Sequence, residues 1–355
     1  MKHVAIVGTQ GVPANYGGFE TLVENIIGEN CPPDVRYTVF CSSVDIPEKR
    51  EEYKGCRLKY IPLRANGVQS IPYDILSLCR VMRGYDAILV LGTSGCSFLP
   101  VFRLFCKTRL IVNIDGIEHR RAKWGRLARK FLRFSESMAV RYADTIVSDN
   151  KGIQDYVAET YRIESEMIAY GGDHVRRNVP REAQEKELEK HGLKTGEYAI
   201  SVCRIEPENN CHLILEAFAG SGRKLVFIGN WQHSDYGRNL RAEYAGCPDI
   251  AMLDAFYDLD ALYSLRVNAG LYVHGHSAGG TNPSLVEAMF FARPIVAFDV
   301  VYNRHTTRGK AYYFSDARSL KTLASRPDLD GAEMRTIAEK EYTWGHISRQ
   351  YSELY

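Results

Sequence analysis

At 355 residues the chain is too long for one ordinary core and suits two domains of about 150–200 residues each. A hydrophobic share of 45% and a charged share of 25% fit a folded globular protein, and a net charge of +2 gives no global field that would draw nucleic acid. The nine cysteines show neither CxxC nor Cys/His metal spacing. They point to reduced, buried thiols in a cytoplasmic protein, and no metal is expected.

Residues 4–7 form an apolar run that stops at Gly8, which reads as a strand and not as a signal peptide. No run of about 18–20 apolar residues follows, so no membrane span is expected. Further strands are expected at 37–41, 58–61, 87–91, 110–114 and 145–147, with helical spacing at 19–27, 75–82 and 153–161. Short Val/Ile/Leu runs alternating with helices indicate a parallel sheet covered on both faces. The loop after the first strand, GTQGVPANYGGFE over residues 8–20, carries four glycines. They let backbone N–H groups approach a ligand, and a helix starting near Gly18 would aim its positive end at an anion. The loop is neither a dinucleotide fingerprint nor a P-loop, because GxGxxG and Gly-Lys-Ser/Thr are both absent. A plain loop with glycines for turns stays open as an alternative.

Just past the strand at 110–114, Asp115, Glu118 and His119 put three titratable groups where an acceptor hydroxyl could meet a base. Asp115-Gly116 also makes a turn readily. Next, Arg120, Lys123, Arg126, Arg129, Lys130 and Arg133 accompany an apolar stripe through Trp124, Leu127, Phe131, Leu132, Ser135 and Ala139. The stripe suits an ordinary amphipathic helix with a solvated face. The scarcity of acid suits attraction to anionic lipid headgroups or to a pyrophosphate-linked acceptor.

The polar stretch 176–194, with Pro180 inside it, reads as a linker plus an exposed helix. This divides the chain into a domain at 1–175, a linker at 176–194, a domain at 195–335 and a final helical segment at 336–355. The strand–helix rhythm restarts with strands at 198–202, 225–228, 250–253, 269–273 and 295–298. Helices are expected at 212–218, 259–265, 284–291, 334–341 and 346–354. Arg204, just past a strand, can pair bidentately with phosphate oxygens. After 269–273, HGHSAGGTNP leads into a helix with Asn282 as N-cap and Pro283 first. Free N–H groups around Ser284 and Leu285 would then hold an anion. Glu287, one turn in, could accept from both ribose hydroxyls, or close a capping box with Ser284. On the ribose reading, Glu287→Ala weakens nucleotide binding far more than folding. Ligands of such domains bind at the carboxyl ends of the strands.

The stretch HGHSAGGTNPSLVEAMFFARPIVAFD resembles the nucleotide-diphosphate site of retaining GT-B glycosyltransferases of family 4. Their pattern has two glutamates separated by seven residues; here the second is Glu287 and the first position is Gly279. Asn209 stands where many members have lysine. GTQGVPANYGGFETLVENI, NIDGIEHRRAKW and IVSDNKGIQDYV are similar to bacterial rhamnosyltransferases of capsule and cell-wall polysaccharide assembly. The resemblance covers nearly the whole chain.

It implies an α/β GT-B fold, two Rossmann-like doubly wound domains facing a central cleft, with the segment from Tyr342 crossing back to the first domain. It implies donor contacts at Gly17, Gly18, Arg204, Asn209, His276, Gly280, Thr281, Asn282, Ser284, Leu285 and Glu287. Asp115 and His119 would touch the reacting hydroxyls. Tyr16, Glu118, Arg120, Lys123 and Trp124 would lie on the acceptor or membrane side. The co-substrate would be a nucleotide sugar, dTDP-L-rhamnose, with no cofactor and no metal. The acceptor would be a lipid-pyrophosphate-linked saccharide at the inner leaflet, served by a cytoplasmic, peripherally attached enzyme. A UDP- or GDP-hexose donor and a catalytically silent nucleotide-binding scaffold are alternatives. A nucleotide-dependent oxidoreductase is disfavoured by the missing GxGxxG.

Overall fold

The computed structural model describes residues 1–14, 17–120, 124–256 and 258–355. Two compact units divide them: Met1–Tyr170 with Trp344–Tyr355, and Gly171–Thr343.

The first unit runs β1 (Lys2–Val7), α1 (Gly18–Ile26), β2 (Val35–Ser42), β3 (Glu52–Tyr53), β4 (Cys56–Ile61), α2 (Ser70–Arg80), β5 (Ala87–Leu91), α3 (Leu99–Phe105), β6 (Arg109–Asn113), α4 (Arg126–Tyr142), β7 (Thr145–Ser148), α5 (Lys151–Tyr161) and β8 (Glu166–Met167). Its strands lie in the order β3-β4-β2-β1-β5-β6-β7-β8. All pairings are parallel except the short hairpin of β3 on β4. Ile6 of β1 sits level with Val39 on one side and Leu89 on the other. Every residue of β5 is buried, because helices cover both faces and leave no polar side to alternate with.

The second unit runs α6 (Arg181–Lys190), β9 (Tyr198–Val202), α7 (Cys211–Phe218), β10 (Lys224–Gly229), α8 (Asp235–Glu243), β11 (Ile250–Asp254), α9 (Leu259–Val267), β12 (Leu271–His274), α10 (Pro283–Met289), β13 (Ile295–Phe298), α11 (Val301–Thr306), β14 (Tyr312–Phe314), α12 (Ala317–Ala324) and α13 (Ala332–Glu341). Its parallel strands lie in the order β11-β10-β9-β12-β13-β14. Numbered within the unit, that is 3-2-1-4-5-6, the doubly wound order. The six strands β4-β2-β1-β5-β6-β7 repeat it in the first unit, a structural repeat with no counterpart in the sequence. The second core closes on Trp231, fully buried, whose indole N–H donates to the Leu253 carbonyl at 3.0 Å.

The unit boundaries differ from those read in the sequence. The expected linker belongs to the second unit: α6 buries Leu188, and Gln184 accepts from the Asn268 amide at the end of α9 at 3.0 Å. One apolar residue and one amide hold a helix that looks fully solvated in sequence. Likewise α13 stays in the second unit through buried Met334 and Ala338. The chain rejoins the first unit only with α14 (Trp344–Glu353), whose Trp344, Ile347 and Tyr351 are buried. There Ser348 donates to the Asn30 carbonyl at 2.7 Å.

Candidate functional site

A doubly wound sheet opens a crevice where neighbouring strands send their connections to opposite faces. In the second unit that switch lies between β9 and β12. Cys203-Arg204 follows β9, and the glycine-rich segment from Gly275 follows β12. Arg204 is exposed, with Glu206 at 3.9 Å. Asn209 is buried, and its amide donates to the Arg204 carbonyl at 2.7 Å. The Asn209 side chain thus turns inward and braces the loop of Arg204, the neighbouring residue expected at the donor.

The two loops are fastened together. The Asn210 amide donates to the Gly275 carbonyl at 2.9 Å, and both the N–H and the hydroxyl of Ser277 donate to the Glu208 carbonyl, at 2.9 and 2.8 Å. Gly275 permits this approach, since a Cβ there would lie 2.1 Å from the Asn209 carbonyl oxygen. Gly275→Ala is expected to force the loops apart and cost about 1–3 kcal/mol, as overpacking does, read as a lower urea midpoint.

Beyond the fastening, Gly279 has φ 106° and open space where a Cβ would project. A glutamate would be strained in that conformation. Gly280 is half-buried and Thr281 is buried. His276 is also buried, its ring stacked on His274 at 4.4 Å and its carbonyl accepting from the Asn303 amide at 2.9 Å. His274 ends β12. Burial pushes its imidazole down to about 3, so it is neutral, and its Nε2 has no hydrogen-bond partner among the described residues.

Asn282 caps α10 as the sequence indicates, accepting from the Ser284 N–H at 3.1 Å and the Ser284 hydroxyl at 2.8 Å. The Leu285 N–H donates to the Asn282 carbonyl at 3.1 Å. The two N–H groups expected to await an anion are thus occupied. A strong N-cap followed by proline, which has no N–H, satisfies this short helix internally.

Glu287 is neither solvated nor part of a capping box. Its Oε2 lies 2.7 Å from an Arg266 nitrogen and its Oε1 3.4 Å from His174 Nε2, with Arg266 only 5% exposed and Glu287 14%. Burial would raise the Glu287 carboxyl, but the Arg266 guanidinium and His174 imidazole hold it down to about 2. His174 reaches it because Gly172 packs flat on α10, where a Cβ would lie 2.9 Å from Val286. Neither partner was singled out in the sequence. Arg266 is legible in retrospect as the one cation of α9, in its mostly apolar last turn.

In the first unit the switch lies between β1 and β5. The glycine loop after β1 is folded over Glu20, whose buried carboxylate accepts from the Thr9 hydroxyl and the Gln10 N–H, both at 2.8 Å. Burial raises the Glu20 carboxyl, and the nearby Asp115 charge adds to the rise. Gly17, at φ 103°, caps α1, which begins at Gly18; a Cβ on Gly17 would lie 2.2 Å from Glu20 Oε2.

Asp115 follows β6 with φ 59°, an uncommon conformation for a residue with a side chain. Its N–H donates to Asn113 Oδ1 at 2.9 Å, and the Asn113 amide donates to the Tyr351 hydroxyl at 2.7 Å. His119 Nδ1 lies 3.2 Å from Glu136 of α4. Trp124 donates to Glu118 at 2.9 Å, and Arg120 lies 4.9 Å from the centre of the Tyr156 ring. Tyr16 and Lys123 lie outside the described residues.

The buried face of α4 is Leu132, Ser135, Glu136 and Ala139, whereas Leu127, expected in the stripe, is 83% exposed. Phe134 is exposed too, as are Leu104 and Phe105 on the neighbouring α3, beside exposed Arg126, Lys130 and Arg133. Among the described residues no helix is long and apolar enough to cross a membrane, and no three His, Cys, Asp or Glu are grouped to hold a metal.

Comparison with known proteins adds the following. Residues 1–173 match a family described as a domain of unknown function, DUF1972, and residues 183–318 match Glycosyl transferases group 1. No curated protein matches the chain. The fold is similar to that of sucrose-phosphate synthase from Thermosynechococcus elongatus, with a TM-score of 0.83 and 16% identity over 100% of this chain and 98% of that one. It is similar also to Anabaena Alr3699/HepE in complex with UDP, at 0.76 and 13% over 99% of both chains. A Burkholderia xenovorans α,α-trehalose-phosphate synthase (UDP-forming) gives 0.72 and 12% over 100% of both. At these identities the likeness is one of fold, and the fold is GT-B.

Proposed function

We propose that this chain, a glycosyltransferase of the GT-B fold, transfers L-rhamnose from dTDP-L-rhamnose to a lipid-pyrophosphate-linked saccharide in cell-surface polysaccharide assembly. The observation that carries this reading is the second unit's switch point, where exposed Arg204, the open turn at Gly279 and the fixed anion of Glu287 follow adjacent strand ends. The group 1 match covers the same residues.

Arg204 pairs with the donor diphosphate, and the 279–281 turn lies against it. Neutralising the leaving diphosphate is the main catalytic contribution. Glu287 keeps lone pairs beyond those used by Arg266 and His174, and they accept from the ribose hydroxyls. A donor phosphate oxygen takes the acceptor proton, which gives retention without a strong protein base. In the first unit, Asp115 and His119 bond to substrate hydroxyls. The exposed Leu104, Phe105, Leu127 and Phe134, set among arginines and lysines, support peripheral attachment to an anionic inner leaflet, where a lipid-linked acceptor resides.

A second reading, a UDP-hexose donor, is favoured by the structural neighbours, one of which was solved with UDP-glucose. Calorimetric titration of dTDP, UDP, GDP and NAD, followed by turnover of the matching sugars, separates the readings. Tightest binding of dTDP and turnover of dTDP-L-rhamnose are expected. Turnover of a UDP-hexose with none of dTDP-L-rhamnose overturns the rhamnose donor. Tight nucleotide binding without any turnover would make the chain a silent scaffold.

A further inference from the structure

Glu136 is the one acid among the seventeen residues of α4, and it sits on the helix's buried face, its side chain 3% exposed. An isolated carboxylate in such a place costs several kcal/mol and persists only when its oxygens are bonded. Among the described residues three donors surround it. The hydroxyls of Tyr156 and Tyr161 reach Oε1 at 2.7 and 2.6 Å, and His119 Nδ1 reaches Oε2 at 3.2 Å. Burial, then the bond to Glu136, pushes the Tyr156 phenol up to about 12, and the same causes push Tyr161 higher still. Both phenols therefore keep their protons and donate them.

We propose that Glu136 is a positioning residue: with Tyr156 and Tyr161 donating to one of its oxygens, its other oxygen takes the Nδ1 proton of His119 in a hydrogen bond, so that the neutral imidazole presents Nε2 as a lone pair. The chemistry follows from donor counting. A carboxylate has no proton to give, so the bond to His119 exists only if Nδ1 carries one. In the neutral form of the ring the acceptor is then Nε2, suited to a substrate hydroxyl. His119 is held in the turn Glu118–Arg120, and Arg120 covers the Tyr156 face from outside. A merely structural network would work as well with glutamine, whose carbonyl can accept from the two phenols and whose amide cannot accept from Nδ1. The proposal rests on the reading of His119 as a residue that faces a substrate hydroxyl.

The test is nitrogen-15 NMR of histidine-labelled full-length protein, with the His119 signals assigned by their loss in His119→Asn. In the parent protein at pH 8, His119 is expected as the Nδ1–H tautomer. In Glu136→Gln that preference is lost and the Nε2–H form grows. Turnover of the nucleotide sugar singled out by the donor panel falls on the order of a hundredfold, with KM within about twofold, as a misaligned reacting group predicts. An Nε2–H tautomer in the parent, or unchanged His119 signals in Glu136→Gln, overturns the proposal. Tyr161→Phe removes one phenol without touching His119 and serves if Glu136→Gln fails to fold; it is expected to shift the same signals part of the way. If the tautomer behaves as expected but His119→Asn turns over normally, Glu136 still orients the ring and the hydroxyl-facing reading of His119 falls instead.

Discussion

Arg266→Met is expected to remove roughly 3–5 kcal/mol from the stability of the second unit, because it leaves the Glu287 carboxylate buried without its guanidinium. Met matches the length of the arginine stem, so little of the loss comes from a cavity. Glu287→Gln is the milder change, since an amide still accepts from Arg266 and donates elsewhere. Combining Arg266→Met with Glu287→Gln is expected to recover much of the loss, because no charge is then left alone. Urea unfolding of all four proteins, with hydrogen exchange to localise the change to β12 and α10, gives the coupling directly. A loss below about 1 kcal/mol in Arg266→Met would refute it. The ion pair also alters what Glu287→Ala can report. Stability and nucleotide binding are expected to fall together in that variant, through the stranded Arg266. Glu287→Gln is therefore the substitution that isolates the ribose contact.

Acid is expected to weaken the second unit well before ordinary carboxylates titrate. His274 is lowered from 6.5 to about 3, so between those values the unfolded chain takes up a proton that the folded chain refuses. Its contribution to stability is intact above pH 6.5 and lost as pH falls toward 3, at about 1.4 kcal/mol per unit, or about 5 kcal/mol in all. Glu287, lowered from 4.5 to about 2, adds a second loss of about 3 kcal/mol in the same direction as pH falls from 4.5 to 2. His274→Phe keeps a flat ring stacked on His276 and has nothing to protonate. Its stability at pH 5 should exceed that of the parent by about 2 kcal/mol more than it does at pH 7.5. Equal pH slopes for the two proteins would disprove the assignment.

What the sequence made legible was local or periodic. The long strands stand out as continuous apolar runs, and 87–91, 198–202 and 295–298 match β5, β9 and β13 to the residue. Absent from the reading were β3, β8 and β14, two or three residues each and only partly buried, where neither period nor composition can accumulate a signal. Asn282 as N-cap was legible because a cap is set by its own neighbours. The partners of the charged groups were not. Glu287 meets a histidine 113 positions away, Asn113 a tyrosine 238 positions away, and Glu136 phenols one helix later. Such pairs exist only once the sheet has brought strand ends together. The trace they leave in sequence is a lone charge on an apolar face, as at Glu136 and Arg266.

The turn at Asp115 has a place in time as well as in space. Its anchor, Asn113, bonds to Tyr351, and every residue of the second unit is made between the two. At ordinary rates of synthesis those residues take roughly nine to thirty-five seconds to emerge. Throughout that interval the hydroxyl that meets Asn113 has not been made. The bond that completes the acidic turn therefore waits for a helix that cannot arrive until the other unit has been written.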